Sequence, residues 1–153
     1  MASEEHVKRL RQATAAWNKW RKENHIIPLL GGADLSGANL QGADLWAASL
    51  RRADLACANL CGANLQKADL SAANLENANL QEADLRSAML IEANLTGADL
   101  GKASLRGAAL WAANLSGANL QGADLATSSG LTQKDIAKAK TDKTTKLPDY
   151  LSF

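Results

Sequence analysis

The chain has 153 residues, with 17 Lys/Arg against 16 Asp/Glu, a formal net charge of +1 and 46% apolar side chains. That length suffices for one domain with a real core, and a charge so close to zero supplies no overall field to attract nucleic acid or an anionic membrane. Two cysteines, Cys57 and Cys61, make no disulfide framework, and they are too few for a metal site while His6 and His25 stand far away. The charge is uneven: residues 1–30 carry six basic side chains against three Glu, residues 31–127 six against ten acids, and residues 128–153 five against three.

The opening MASEEHVKRLRQ has no apolar h-region, which reads as no secretory signal. No run of about 18 apolar residues exists to span a membrane, so a soluble, cytoplasmic protein is expected. Residues 4–24 read as one helix: Val7, Leu10, Ala13, Trp17 and Trp20 fall at helical spacing and form an apolar stripe. Lys8, Arg9, Lys19 and Lys22 lie mostly off the stripe, as a solvated face, and Pro28 ends the helical tendency.

A repeat follows and decides the fold. Leucine occupies every fifth position from Leu35 to Leu125, nineteen times, with alanine two places before each, from Ala33 to Ala123. Asp or Asn usually stands between them, so the unit is A-[D/N]-L-x-x. On a helix, five residues advance by about 140°, which smears the leucines over every side. On a strand, an odd step sends successive leucines to opposite faces. Only a chain that changes direction in every unit keeps them all on one side. Ala and Leu then point inward, Asp/Asn outward, and the two variable residues form the bend, where Gly recurs. Bending always the same way gives a coil, and stacked coils give a solenoid. The string SGANLQGADL at 36–45 recurs at 116–125, an offset compatible with coils of ten, twenty or forty residues.

After the repeat, Thr132 reads as an N-cap with Asp135 three places on, and Leu131 and Ile136 hold staple positions for a short helix through about Ala139. Residues 140–153 read as extended or partly ordered, with Leu147, Tyr150 and Leu151 available to pack on the coil and Phe153 as the sole phenylalanine. The divisions expected are 1–30 as an N-terminal cap, 31–127 as the repeat and 128–153 as a C-terminal capping helix and tail, within one structural domain.

The A-[D/N]-L-x-x array over 33–127 resembles the pentapeptide-repeat family. The flanks W-N-x-W-R (Trp17, Asn18, Trp20, Arg21) and L-T-Q…T-K-L-P-x-x-L (Leu131 to Leu151) are similar to those of cyanobacterial members. The resemblance implies an all-β solenoid: a right-handed quadrilateral β-helix with four units per coil. Nineteen units then give just under five coils, roughly 23 Å tall at strand-like spacing.

No catalytic constellation emerges and no cofactor is expected. The Asp/Asn column reads as bonding to neighbouring backbone or stacking in ladders, and it lacks the spacing of a Ca²⁺ loop. Cys57 and Cys61 read as surface thiols or as a weakly supported redox or metal contact. With the interior filled, function must lie outside. Stacking every twentieth residue gives four faces, and one reads Ser49, Asp69, Met89, Ala109, with the next position reading Arg51, Ser71, Ile91, Trp111. Met89, Ile91, Ala109 and Trp111, with Ala112 beside them, are expected to form an exposed apolar cluster. It reads as repeat drift, as a seat for the C-terminal tail, or as a site for a partner or for self-association. Arg86 and Arg106 are expected to stack, with Trp46 one coil below and Arg51 and Arg52 at the same corner, a strip suited to an acidic partner segment.

The reading is a non-catalytic scaffold or regulatory protein with an unidentified protein partner, a monomer or weak homo-oligomer. In cyanobacteria the family includes a regulator of heterocyst differentiation that acts through protein contacts. The alternative that the family implies is a DNA mimic that binds a type II topoisomerase (gyrase), as in relatives conferring quinolone resistance. Here the repeat is only mildly acidic and is interrupted by Arg51, Arg52, Arg86 and Arg106. If the leucines point inward, Leu75→Ala costs about 2–5 kcal/mol in a urea melt, and a loss below roughly 0.5 kcal/mol contradicts the assignment.

Overall fold

Two kinds of backbone hydrogen bond build the coil. Within a unit, the Ala amide donates back to the preceding Leu carbonyl, as from Ala58 to Leu55 and from Ala78 to Leu75, both at 3.0 Å. The two residues spanned form a turn whose second member has positive φ at every corner from Gly32 to Thr127. Positive φ at that place defines a type II turn, which glycine enters freely and other residues enter at a cost of about 1–2 kcal/mol. Twelve of these corners nevertheless carry a side chain, among them Arg52, Lys67, Ser87 and Glu92.

Between coils, the Leu55 amide donates to Asn74 O at 2.7 Å and the Asn74 amide to Ala53 O at 2.9 Å, which sets Asp54 beneath Asn74 in a parallel bridge. The pattern repeats in four columns: Leu29 to Ser129, Asp34 to Asn114, Asn39 to Asn119 and Asp44 to Asp124, each stepping by twenty residues. The repeat therefore makes a coil of four units per turn. The structure, a computed structural model, describes residues 1–152, which leaves Phe153 outside the described residues. Among them every bridge stands alone, and none extends into a longer strand. The expected all-β solenoid is thus a coil of tight turns stitched by single bridges, with three helices at its ends. A corner every five residues leaves only Ala, Asp/Asn and Leu extended, too few for a ladder.

All nineteen repeat leucines are buried, and the alanines line the space between them, with Ala38 in the lowest coil alone half-buried. Outward, the Asp or Asn Oδ1 accepts from the amide two residues on, as Asp54 does from Ala56 at 3.1 Å. Asn side chains also donate down the column, from Asn74 to Asp54 at 3.0 Å and from Asn94 to Asn74 at 3.1 Å. Both roles proposed for this position from the sequence are filled.

The N-terminal cap differs from the single helix expected. It is α1 (Glu4–Gln12) followed by α2 (Thr14–Glu23), broken at Ala13, whose φ of −167° is extended. The break lets both helices lie across the open end. There the carbonyls of Leu29, Asp34, Asn39 and Asp44 have no coil below, and each accepts a hydrogen bond from the cap: from Ser3 N, the Arg11 guanidinium, Thr14 Oγ1 and Trp17 Nε1. Asn18 Oδ1 accepts the Asp44 amide at 2.8 Å, and buried His6 Nδ1 accepts the Leu29 amide at 3.0 Å. This edge closure gives the W-N-x-W-R flank its physical meaning.

At the other end the repeat lettering stops before the coil does. Ser129 bridges Ala109, and Gly130 stands where the next leucine belongs. A Cβ there would lie 2.5 Å from Trp111 N, so only glycine fits. α3 (Gln133–Lys138) begins with the expected capping box: Thr132 Oγ1 accepts from Asp135 N at 3.3 Å, and Asp135 Oδ2 accepts from Thr132 N at 2.9 Å. The segment expected to be extended or partly ordered instead continues the stack, with Lys140 bridging Asn119 and Lys146 bridging Asp124. Asp142 Oδ1 accepts from the amides of Thr144 and Thr145, and buried Thr145 donates to Leu120 O at 2.9 Å.

The corner strain is directly testable. Ser87, with φ of 58° and an exposed side chain, gains stability when replaced: Ser87→Gly raises the unfolding free energy by about 0.5–1 kcal/mol in urea titration. Gly117→Val, at φ of 70°, lowers it by roughly 1–2 kcal/mol.

Candidate interaction face

The interior is occupied by leucine and alanine, so side chains free to act are those on the four outer columns and the corners between them. Three columns carry Asp, Asn and Ser throughout the repeat. The fourth runs Leu29, Ser49, Asp69, Met89, Ala109, Ser129. Turns at Trp46, Gln66, Arg86 and Arg106 lead the chain onto this face. Turns at Arg51, Ser71, Ile91 and Trp111 lead it off.

The structure brings Met89, Ile91, Ala109 and Trp111 together as neighbours on two adjacent coils. Met89 is 40% exposed and Trp111 58%, Ala112 is exposed, and Ile91 and Ala109 are half-buried. Among the described residues, the C-terminal tail does not cover them. It passes above, with Gly130 against the Trp111 backbone and the Tyr150 hydroxyl donating to Ser128 O at 3.0 Å. A groove of about 630 Å³ opens between Trp111, Leu131, Lys134, Lys138 and Tyr150.

Arg86 and Arg106 lie in one corner column, as expected, but each already has an acidic neighbour. Arg86 Nε and Nη2 grip Asp84 at 2.8 and 2.7 Å, and Arg106 Nη1 lies 3.4 Å from Asp124. The hydrogen bond from Arg86 holds the Asp84 carboxyl below the usual carboxylate range, against partial burial, and raises the guanidinium in return. Trp46 lies two coils below Arg86, not one, with Gln66 between them. The Lys67 ammonium sits 5.7 Å from the Trp46 ring centroid.

A second apolar cluster on the same face went unread in the sequence. Ile26, Ile27, Leu29 and Trp46 are all exposed at its lower end. Counting back twenty residues from Ser49 would have placed Leu29 there, but the repeat was counted only from Ala33. Cys57 is exposed and Cys61 half-buried, both as free thiols. Among the described residues no group of three or more His, Cys, Asp or Glu is placed to hold a metal ion, and no helix is long and apolar enough to cross a membrane.

A filled four-sided coil with one apolar face defines a repeat protein of solenoid type. The family model described as pentapeptide repeats matches residues 30–66, 68–107 and 103–128 in eight copies, and the chain belongs to that family. Among solved structures, the pentapeptide repeat protein Rfr23 from the cyanobacterium Cyanothece 51142 is 42% identical over 65% of this chain and 63% of its own, with a TM-score of 0.54. HetL, involved in heterocyst differentiation regulation in the cyanobacterium Nostoc sp. strain PCC 7120, is 34% identical over 78% of this chain and 54% of its own, with a TM-score of 0.34. A trypsin-treated form of QnrB1, a plasmid-mediated fluoroquinolone resistance protein, is 24% identical over 72% and 58%, with a TM-score of 0.44. The chain thus spans 54% to 63% of the length of these solved chains. No curated protein matches it.

The Asp84–Arg86 pair sets a pH dependence. The folded carboxyl titrates lower than the unfolded one, so its contribution is present above the unfolded value and lost as pH falls through the folded one. Melting temperature measured from about pH 5 down to pH 2 falls, and Asp84→Asn flattens part of that fall. Because Arg86 is exposed and Asp84 only partly buried, solvent screening keeps the difference small.

Proposed function

We propose that this chain is a non-catalytic interaction or scaffold protein, a rigid right-handed β-helical rod that meets a protein partner through its fourth face. The observation that carries this reading is the replacement of Asp/Asn by Met89 and Ala109 beside Ile91 and Trp111, on a surface otherwise built of polar columns. Contiguous exposed apolar side chains with a tryptophan at their centre mark interaction surfaces. Arg86 and Arg106 border the patch and suit an acidic rim on the partner. A regulatory role in the cytoplasm fits the same reading.

A DNA-like rod aimed at a topoisomerase needs dense negative charge. Ten acids against six bases over residues 31–127, with Arg51, Arg52, Arg86 and Arg106 among them, give a surface of mixed sign. That composition favours a protein interface over mimicry.

Affinity capture from a lysate of the source organism, with the native chain and with Ile91→Asp/Trp111→Asp, tests the proposal. The variant retains its circular dichroism melt and loses the captured partner by more than about tenfold. Equal recovery with both baits rejects the fourth face as the contact.

A further inference from the structure

We propose that the fourth face is self-complementary, so that the occupant it fits is a second copy of this chain, side by side and pointing the same way. This rests on the reading of that face as the interaction surface and names what sits there.

The argument starts from the order of side chains at the corners. On the coil of Ser49, the chain arrives on the face past Trp46 and leaves past Arg51. On the coil of Ala109 it arrives past Arg106 and leaves past Trp111. Tryptophan and arginine thus change places between the lower and the upper coil. A twofold axis parallel to the tower keeps coils level and swaps arriving corners for leaving ones. It sets Trp46 against the second copy's Arg51, and Arg106 against the second copy's Trp111, each pair occurring twice. Guanidinium over indole is a favourable pairing, and arginine is the cation best shaped for it. Both arginines have the reach: their side chains are 59% and 51% exposed, and their carboxylate neighbours lie at 3.6 and 3.4 Å, leaving room on the guanidinium.

The central column gives the same answer. Under this axis each residue meets its own copy, so Leu29 packs on Leu29, Met89 on Met89 and Ala109 on Ala109. The reversed arrangement in full overlap would set Leu29 on Ser129, Ala109 on Ser49 and Met89 on Asp69, apolar on polar each time. Two like-charge contacts arise in the parallel pair: Asp69 with itself, which Arg51 at 3.6 Å from that carboxylate offsets, and Arg51 with the second copy's Lys67, whose flexible ammonium sits 5.7 Å from the Trp46 ring centroid and must yield that ring to the guanidinium. A closed twofold contact of this kind uses the same patch on both partners. It also accounts for two apolar clusters at opposite ends of one face, which a single small peptide would not span. A narrow face makes a small interface, so the pair is reversible.

Sedimentation velocity of the full chain from about 1 to 300 µM reads the outcome. The native mass rises toward twice the monomer, while Arg51→Glu/Arg106→Glu, with its melt unchanged, stays monomeric throughout. In a Cys57→Ser/Cys61→Ser background, Met89→Cys forms a disulfide-linked dimer under mild oxidation, and Glu76→Cys, on the far side of the coil, does not. A monomer mass at every concentration, or equal cross-linking from both positions, overturns the proposal. If the native chain stays monomeric yet captures a lysate protein that Ile91→Asp/Trp111→Asp loses, the second copy is excluded while the interaction face stands. If that variant changes neither mass nor capture, both readings fall.

Discussion

From Leu30 to Leu110 each leucine amide donates to a carbonyl nineteen residues further on, and, as at Asn74, the amide of that same residue donates back to a carbonyl one coil down. This reciprocal stitch fixes the distance between coils, and the corner every five residues fixes the width. Together they leave room inside for one Leu and one Ala per unit. The size of the interior is therefore set by the backbone, and leucine and alanine fill it. A larger residue at the alanine position would overpack the tube, and a smaller one at the leucine position would open a void. What the chain is free to vary is the outer surface.

The same stitch creates the problem of the ends. A coil with nothing below it presents both the amide and the carbonyl of its column residues, and a coil with nothing above it presents leucine amides and alanine carbonyls. The lower end is closed with side chains of two short helices, one donor for each of the carbonyls of Leu29, Asp34, Asn39 and Asp44. Buried Arg21 adds donors to Ile26 O and Trp46 O. The upper end is closed with backbone, by letting Lys140 and Lys146 take bridging places after the repeat lettering has ended. One end thus reads as a motif of donors and the other as a degenerate coil.

This contrast explains what was legible in the sequence. The inward ladder of Ala and Leu could be read because its spacing contradicts both helix and strand, but the number of units per coil came from family resemblance and was then met by the bridges at twenty residues. The break at Ala13 was hidden because Val7, Leu10, Trp17 and Trp20 keep helical spacing across it; the extended residue resets the direction without disturbing the pattern. The continuation beyond Leu125 was hidden for another reason. Lys140 and Lys146 bridge at offsets of 21 and 22, so no fixed period finds them. Leu29 is hidden at the near end because no Ala-x-Leu unit begins before Ala33, although the Pro28 carbonyl already accepts the Ser49 amide at 2.9 Å. The apolar patch was legible because it breaks a column rule, whereas its lower counterpart lies before the column was thought to begin.

The column rule also bears on whether the patch is mere drift. At most positions the Asp or Asn Oδ1 accepts from the amide two residues on, and that bond holds the corner. Met89 and Ala109 have no such oxygen, so the amides of Ile91 and Trp111 forgo the acceptor that their neighbours enjoy. A hydrogen bond of this kind contributes about 0.5–1.5 kcal/mol, and two are given up on adjacent coils of a single face. At the two corners that follow, Trp111 is left exposed and Ile91 half-buried. Substitutions that weaken the coil twice in one place, while exposing Met89 and Trp111, have no rationale in the stability of the isolated chain. They have one if the face is covered, since burial against a partner recovers the apolar surface and removes the exposed amides from competition with solvent. The local loss of the ladder is thus itself an argument that the fourth face is an interface.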